Sequence, residues 1–361
     1  MKRIKSDTIT SGELTFMLIG SMIGIGILSL PNSLISKAKQ DSWISAALGA
    51  LYPLYMVLAA AIIYKKSPNN NILVLSKKCF GKIIGTILNV ILLCFFIFNV
   101  FTLSAGLSIV LRTLIVSFVS SIKILIFIVF LSAFTAYKGL KVLARVNHLT
   151  FYYTTILTLM LFAALVKGTY LNVCPILGSG IVNILNASKS SAFAYGGIEI
   201  LFLLYPLVIN SNEKIIVKSS LLGVFITCVF YTWAVFITIY FLGIDNIPKA
   251  EWSVSLTTKS VYIPIINNFR FVFLILWAAI IFKTISNNYY AAAMIINSFF
   301  KNAQNKIIIC IIFPMMVYLS TIPKNNAIML SILNYFIPKF TLFNIIYVTL
   351  IAVILYIKKV K

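Results

Sequence analysis

Ten long apolar runs take up most of this sequence and restrict the fold more than any other feature. A helix of about 20 apolar residues crosses the hydrocarbon core of a bilayer. The runs do not alternate polar with apolar residues, which excludes a transmembrane barrel. We therefore predict an all-α integral membrane protein, a single transmembrane domain over residues 1–361, with spans 1 to 10 near residues 10–35, 43–64, 83–111, 122–138, 146–166, 188–210, 217–242, 269–298, 306–322 and 340–357.

Composition agrees with this prediction. Hydrophobic residues make up 61% of the chain and charged residues only 10%. A water-soluble domain covers its surface with about 25% charged residues. The net charge of +23 would indicate a nucleic-acid partner in a soluble protein. Here the basic residues lie between apolar runs, where they anchor the spans to an anionic lipid bilayer, so we expect no nucleic-acid partner.

The distribution of Lys and Arg predicts the orientation. If the N-terminus is cytoplasmic, 18 of the 30 Lys and Arg residues fall on the cytoplasmic side, 11 on the other side and one inside span 8. Cytoplasmic loops carry the excess of positive charge in membrane proteins. An even number of spans agrees, and we predict a multi-pass protein with both termini cytoplasmic.

Metal, cofactor and enzyme functions find little support. The five cysteines form no CxxC pair, and a single histidine provides no His/Cys cluster. No span contains a Ser/His/Asp or paired-carboxylate arrangement suited to catalysis. We therefore expect no metal, no cofactor and no enzymatic activity.

Glycine clusters interrupt two of the spans. Gly24 and Gly26 lie inside span 1, and Gly196 and Gly197 lie inside span 6. Glycine weakens a helix by about 1 kcal/mol relative to alanine. Unwound backbone inside a membrane is tolerated only beside a cavity or a ligand. The alternative is that these glycines allow close helix packing.

The positions of the two clusters favour broken helices. Gly24 and Gly196 are 172 residues apart, and five spans begin with each cluster. This pattern is typical of an inverted repeat in which two discontinuous helices meet. We predict ten helices in a 5+5 inverted repeat, the leucine-transporter-type fold, with helices 1 and 6 discontinuous. The repeats would be residues 1–166 and 188–361.

Three segments carry a resemblance to a known family. Residues 19–31 (IGSMIGIGILSLP) resemble the first span of the amino acid–polyamine–organocation superfamily. Together with residues 9–13 (ITSGE) and 195–199 (YGGIE) followed by Pro206, the whole chain resembles the spore germination receptor B subunits, or endospore germination permeases. The resemblance implies a nutrient-germinant sensor in the inner membrane of a bacterial spore. It also implies partnership with an A-type membrane subunit and a C-type lipoprotein, and a small-molecule germinant, often an amino acid.

The two breaks supply the candidate ligand-binding residues. The carboxylate of an amino acid would meet free N–H groups at the start of the second half of span 1, where the helix dipole is positive. Its ammonium would meet carbonyl groups freed before the span 6 glycines. The predicted set is Ser21, Gly24, Ile25, Gly26, Tyr195, Gly196, Gly197 and Glu199.

Two charged residues lie deep in apolar spans, and each costs at least about 3 kcal/mol there. Glu199 follows the span 6 break, where it either receives a ligand's amine or braces the break by bonding nearby N–H groups. Lys283 lies near the centre of span 8. It either stands where sodium-coupled relatives hold a cation, or it snorkels or pairs with Glu199. We expect it to point into the bundle.

Two functions share this binding chemistry. The first is a receptor subunit in which ligand binding at the breaks shifts a conformational equilibrium. The second is a permease that moves an amino acid together with a proton. The sequence does not separate the two.

Overall fold

A computed structural model describes residues 8–261, 268–300 and 304–357. Within these ranges the regular structure is helical, apart from an isolated parallel bridge between Ile9 and Val208. This confirms the all-α prediction.

Helices of the first half correspond to spans 1 to 5. Span 1 begins as α1 (Ser11–Met22), continues as a 3-10 helix (Ile25–Ser29) and ends as α2 (Leu30–Ala38). A 3-10 turn (Lys39–Asp41) leads to span 2, which is split into two helices, α3 (Ser42–Leu48) and α4 (Leu51–Lys66). A short helix, α5 (Ile72–Phe80), precedes span 3. The remaining bounds are α6 (Lys82–Leu114), α7 (Ser121–Tyr137), α8 (Leu140–Met160) and α9 (Ala163–Lys167).

Helices of the second half correspond to spans 6 to 10. A 3-10 helix (Tyr170–Val173) precedes them. The helix α11 (Leu201–Leu204) lies between the 3-10 turns Ile198–Ile200 and Tyr205–Leu207. The helix α13 (Ser253–Thr257) lies between the 3-10 turns Ile247–Lys249 and Thr258–Ser260. The remaining α-helices are α10 (Ile181–Ala194), α12 (Glu213–Leu242), α14 (Phe269–Asn297), α15 (Asn305–Ser320) and α16 (Asn326–Ile357).

The helices account for all ten predicted spans in the described part of the chain. By length and hydropathy, six helical runs could each cross a membrane, and the first of these, Ile25–Lys66, holds the end of span 1 and all of span 2. The pair Ile181–Ala194 and Ile198–Leu207, bent by 51°, is span 6. Spans 4 and 9 are shorter apolar helices of 17 and 16 residues.

Span 10 begins earlier than predicted. The expected start was residue 340, but α16 begins at Asn326 and runs for 32 residues through Pro338. Proline removes a helical hydrogen bond, yet Pro338 does not end this helix. Membrane helices tolerate proline, since neighbouring groups satisfy the freed carbonyl.

The end of the bundle that holds the start of α1 is called the N-terminal face below. Here the segment before α1 pairs with the end of span 6: Ile9 N–H donates to Leu207 O (3.0 Å), and Ile209 N–H donates to Ile9 O (2.9 Å). Glu13 in α1 forms an ion pair with Lys141 at the start of α8 (2.7 Å). Spans 1, 5 and 6 are therefore joined at this face.

Candidate functional site

Span 1 is broken between Met22 and Ile25. Helix α1 ends at Met22, and Ile23 is extended (φ −77°, ψ 101°). Gly24 is also extended, with φ −114° and ψ −168°, before the 3-10 helix begins. The helix resumes its α form at Leu30. The break therefore lies at the glycines that the sequence indicated.

Side chains from spans 7 and 8 satisfy the carbonyl groups that this break frees. The Tyr231 hydroxyl donates to Met22 O (2.7 Å). The Thr284 hydroxyl lies 2.8 Å from Gly20 O and 2.6 Å from Ile23 O. Because an unwound helix inside a membrane must find partners for its backbone, these two hydroxyls make the break possible.

Span 6 is broken after Ala194, and its break lies against the break in span 1. Tyr195 is fully buried and donates from its hydroxyl to Ala46 O (3.0 Å). Gly197 has φ +110°, in the left-handed region. An added Cβ there would lie 2.7 Å from the carbonyl carbon of Ser21, and closer still to its oxygen. Only glycine allows this approach of the two backbones.

Tyr231 connects the two breaks. Besides Met22 O, its hydroxyl lies 3.1 Å from Ala194 O at the end of α10. One side chain from span 7 thus caps the last turns of both interrupted helices. The relative position of the two breaks depends on this hydroxyl.

We expect Tyr231→Phe to destabilise the protein by about 1–3 kcal/mol, because buried carbonyl groups lose their donor. The measurement is the thermal unfolding midpoint in detergent. Tyr240→Phe is the matched control, since Tyr240 is on the same helix and its hydroxyl has no hydrogen bond to a described residue. Equal midpoints for the two variants would contradict the bridging role.

Glu199 braces the span 6 break. Its carboxylate accepts hydrogen bonds from Gly197 N–H (2.7 Å), from Asn344 Nδ2 (3.0 Å) and from the Tyr52 hydroxyl. The side chain is only 3% exposed. Spans 2, 6 and 10 therefore meet at one carboxylate. Of the two roles considered for Glu199, these bonds favour the brace.

Lys283 is completely buried in α14. Its ammonium group has no hydrogen-bond partner among the described residues, and it does not pair with Glu199. The snorkelling alternative does not fit a side chain with no exposed surface. Lys283 precedes Asn287 by one helical turn, so the two lie on the same face of α14.

Asn287 shows what this face of α14 contacts. Asn287 and Asn147 of α8 exchange two hydrogen bonds (2.8 and 3.0 Å), and Asn287 also donates to Ser21 Oγ (2.9 Å). The Ser21 hydroxyl donates in turn to Met17 O (2.8 Å). This network fixes α1 to spans 5 and 8. Gly20 is required because a Cβ there would lie 2.9 Å from Asn147 Cγ.

The glycines of span 1 have different surroundings. A Cβ at Gly26 would meet nothing within 4 Å, and Gly26 is exposed. A Cβ at Gly24 would lie 3.3 Å from Leu103. Ile25 is 9% exposed. Open space therefore adjoins the first N–H groups of the 3-10 helix, which have no partner within the helix.

The structure brings three of the predicted site residues together and adds others. Ser21, Gly197 and Glu199 meet at the two breaks, with Lys283 on the neighbouring face of span 8. Sequence reasoning did not assign the residues that hold the breaks in place. Tyr231 and Thr284 donate to freed carbonyl groups. Four further residues bond to Glu199, to Ser21 or to one another: Tyr52, Asn147, Asn287 and Asn344. Their shared signal is a hydrogen-bonding side chain inside an apolar span.

Interrupted spans 1 and 6 that meet in this way define a membrane protein with the leucine-transporter-type fold. A solved structure of a Na+-coupled sialic acid symporter, in a substrate-bound outward-open state, matches the chain with a TM-score of 0.61. The match covers 92% of this chain and 75% of that chain at 10% sequence identity. This likeness shows the fold alone.

The chain belongs to the spore germination protein family, whose family model matches residues 8–328. It is similar to spore germination protein YndE of Bacillus subtilis (strain 168), with 24% identity over 332 residues and coverage of 89% of each chain. It is also similar to spore germination protein GerQB of Bacillus cereus, with 25% identity over 292 residues and coverage of 79% of each. These findings confirm the family resemblance.

Proposed function

We propose that this protein is the nutrient-sensing subunit of a spore germination receptor and that it binds a small germinant, an amino acid, at the breaks of spans 1 and 6. The carrying observations are the contact between the two breaks, at Gly197 and Ser21, and the open space at Gly26 in the 3-10 helix that follows the span 1 break. A ligand there touches two half-helices at once, so its binding changes the balance between their arrangements.

The polarity of the site suits an amino acid. The N–H groups of Ile25 and Gly26 begin the second half of span 1, at the positive end of a helical segment, and we assign the ligand carboxylate to them. The ammonium is assigned to the backbone carbonyl groups beside Tyr195 and Gly196. Glu199 acts on the site mainly by positioning Gly197, because its carboxylate accepts a hydrogen bond from the Gly197 N–H.

The fold and the family support the setting of this receptor. We place the chain as a multi-pass protein in the inner membrane of the spore, with both termini cytoplasmic and with five-helix repeats at residues 1–166 and 188–361. Its partners would be an A-type membrane subunit and a C-type lipoprotein. Curated relatives include spore germination proteins B2 and A2 of Bacillus subtilis (strain 168), which supports a receptor role.

A proton-coupled amino acid permease is the second candidate. The observation that favours it is the fold shared with a sodium-coupled symporter. The buried Lys283 would hold the positive charge that a coupling cation supplies in such transporters. Uptake of labelled amino acid into vesicles containing the purified protein separates a transporter from a sensor.

The binding site is tested by the thermal shift of the purified protein with each standard amino acid in turn. A ligand at 100 times its Kd stabilises by about 2.7 kcal/mol. We expect one or a few amino acids to raise the midpoint of the wild type. Gly26→Val should abolish this shift because the valine side chain fills the open space, and Glu199→Gln should weaken it.

Gly12→Val is the matched control, because Gly12 is also exposed and an added Cβ meets nothing within 4 Å, but it lies in the first turn of α1. This variant should keep the full shift. A normal dose response in Gly26→Val would place the ligand site elsewhere in the protein.

A further inference from the structure

A polar cavity lies at the N-terminal face, away from the two breaks. It has a volume of about 230 Å³ and is formed where α4 ends and α5 begins, with Leu355 from the end of α16 closing one side. Its polar lining comes from Lys66, Ser67, Asn69, Asn70 and Lys78. No part of the proposed germinant site contributes to it.

The chemistry of the cavity is that of an anion site. Two lysines line it, and among the described residues that form its wall none is acidic. Lys66 and Lys78 supply ammonium donors, and the neighbouring Asn and Ser side chains add neutral donors. Lysine binds phosphate as a compact point charge. The cavity therefore offers charge and hydrogen bonds for one phosphate group.

The wall of this cavity is held in place by the rest of the protein. Asn70 Nδ2 donates to Ser67 Oγ (2.9 Å), and Asn70 O accepts a hydrogen bond from the Tyr205 hydroxyl. The Lys66 ammonium lies 5.6 Å from the ring centre of Tyr356, a distance suited to a cation–π contact. Span 6 thus holds the loop at Asn70, and span 10 holds the Lys66 side chain, so the cavity has a defined shape.

The rim of the cavity carries side chains of the kind found in the headgroup region of a bilayer. Tyr356 is 72% exposed, at the end of an apolar span, and Val74 of α5 is 41% exposed. Exposed apolar side chains next to lysines are typical of the membrane interface. The short helix α5 combines the exposed apolar side chain of Val74 with two lysines, Lys77 and Lys78, in its last turn.

A second cavity of about 280 Å³ continues along α5. It is lined by Lys77 and Lys78 together with Asn71 and Ser298, so Lys78 belongs to both cavities. Lys77 Nζ lies 3.5 Å from Ser298 O and 5.6 Å from the ring centre of Phe299. Positive charge therefore extends from the first cavity along α5.

We propose that the cavity between α4, α5 and α16 binds the phosphate of an anionic phospholipid. The headgroup sits between Lys66 and Lys78, and its acyl chains lie along the exposed apolar side chains of the rim. Because Tyr205 joins the cavity wall to the end of span 6, a bound lipid stabilises the position of that half-helix. The site is separate from the one that binds the germinant.

The test uses the full-length purified protein in detergent, with phosphatidylglycerol, phosphatidylcholine or inorganic phosphate added. Retained lipid is counted by native mass spectrometry, and the thermal midpoint is measured in parallel. The variant is the double substitution Lys66→Gln with Lys78→Gln. The control, Lys189→Gln with Lys249→Gln, removes the same charge from two exposed lysines outside the cavity.

We expect phosphatidylglycerol, but not phosphatidylcholine, to bind the wild type and raise its midpoint. Each lysine near a membrane surface contributes about a factor of five to the affinity for anionic lipid, so the double variant should bind phosphatidylglycerol about thirtyfold more weakly. The control pair should bind as the wild type does. Equal midpoints of all three proteins in phosphatidylcholine show that the cavity variant is folded.

Three outcomes would overturn the proposal. In the first, phosphatidylglycerol binds the cavity variant and the wild type equally, which places the bound lipid elsewhere on the protein. In the second, phosphatidylcholine stabilises as well as phosphatidylglycerol, so that headgroup charge has no effect. In the third, inorganic phosphate alone reproduces the full shift, which assigns the cavity to free phosphate.

Discussion

Gly197→Ala should prevent the two breaks from meeting and should leave little folded protein in the membrane. The added Cβ would lie 2.7 Å from the carbonyl carbon of Ser21, which is backbone and has no way to rotate aside. Gly197 also has φ +110°, which costs an alanine roughly 1–2 kcal/mol by itself. The clash adds to this backbone strain, and combined effects of this kind are among the substitutions that unfold marginally stable proteins.

The neighbouring glycine provides the control. An added Cβ at Gly196 would lie 3.3 Å from Phe193 O, and Gly196 is not among the glycines with positive φ. Gly196→Ala should therefore lower the thermal midpoint only slightly. The yield of monodisperse protein after extraction measures both variants. If Gly197→Ala gives as much folded protein as Gly196→Ala, the breaks do not pack as described.

Lys283→Met should stabilise the protein and remove its response to the germinant. Methionine has nearly the same length without the charge, so it removes a buried ammonium that has no partner among the described residues. The gain is about 3 kcal/mol, the cost of a lysine at the centre of a span. A charge buried at such a cost indicates a functional role, so we expect the response to ligand to be lost.

The measurements for Lys283→Met are the thermal midpoint without ligand and the ligand-dependent shift. Lys189→Met is the control, because Lys189 is exposed and hydrogen-bonded to Asn186 (3.2 Å). It should change neither quantity. A Lys283→Met variant that is less stable than the wild type would mean that the ammonium makes a stabilising interaction. A stabilised variant with a normal ligand shift would remove Lys283 from the mechanism.

The two breaks are supported by side chains from several other helices. Each interrupted helix exposes carbonyl groups, and hydroxyl groups on spans 7 and 8 satisfy them through Tyr231 and Thr284. The Glu199 carboxylate does the same for the Gly197 N–H. Substitution of these residues therefore affects stability and ligand response together, which the controls above are designed to separate.

The sequence by itself determined the membrane class, the ten spans and the positions of both breaks. Apolar runs of membrane length define spans whatever surrounds them, because lipid accepts only backbone that is satisfied within the segment. Glycine clusters mark where that backbone is free to unwind. Both signals are local, so they can be read along the chain without knowledge of its neighbours.

Only the tertiary structure decided which residues from other helices complete the candidate site. The approach of Gly197 to Ser21 and the pairing of Asn147 with Asn287 join residues more than 100 positions apart. Such partners depend on how the helices rotate and pack, which an apolar span does not encode in its own periodicity. The start of span 10 was missed for the same reason, since neighbouring helices decide whether a proline ends a membrane helix.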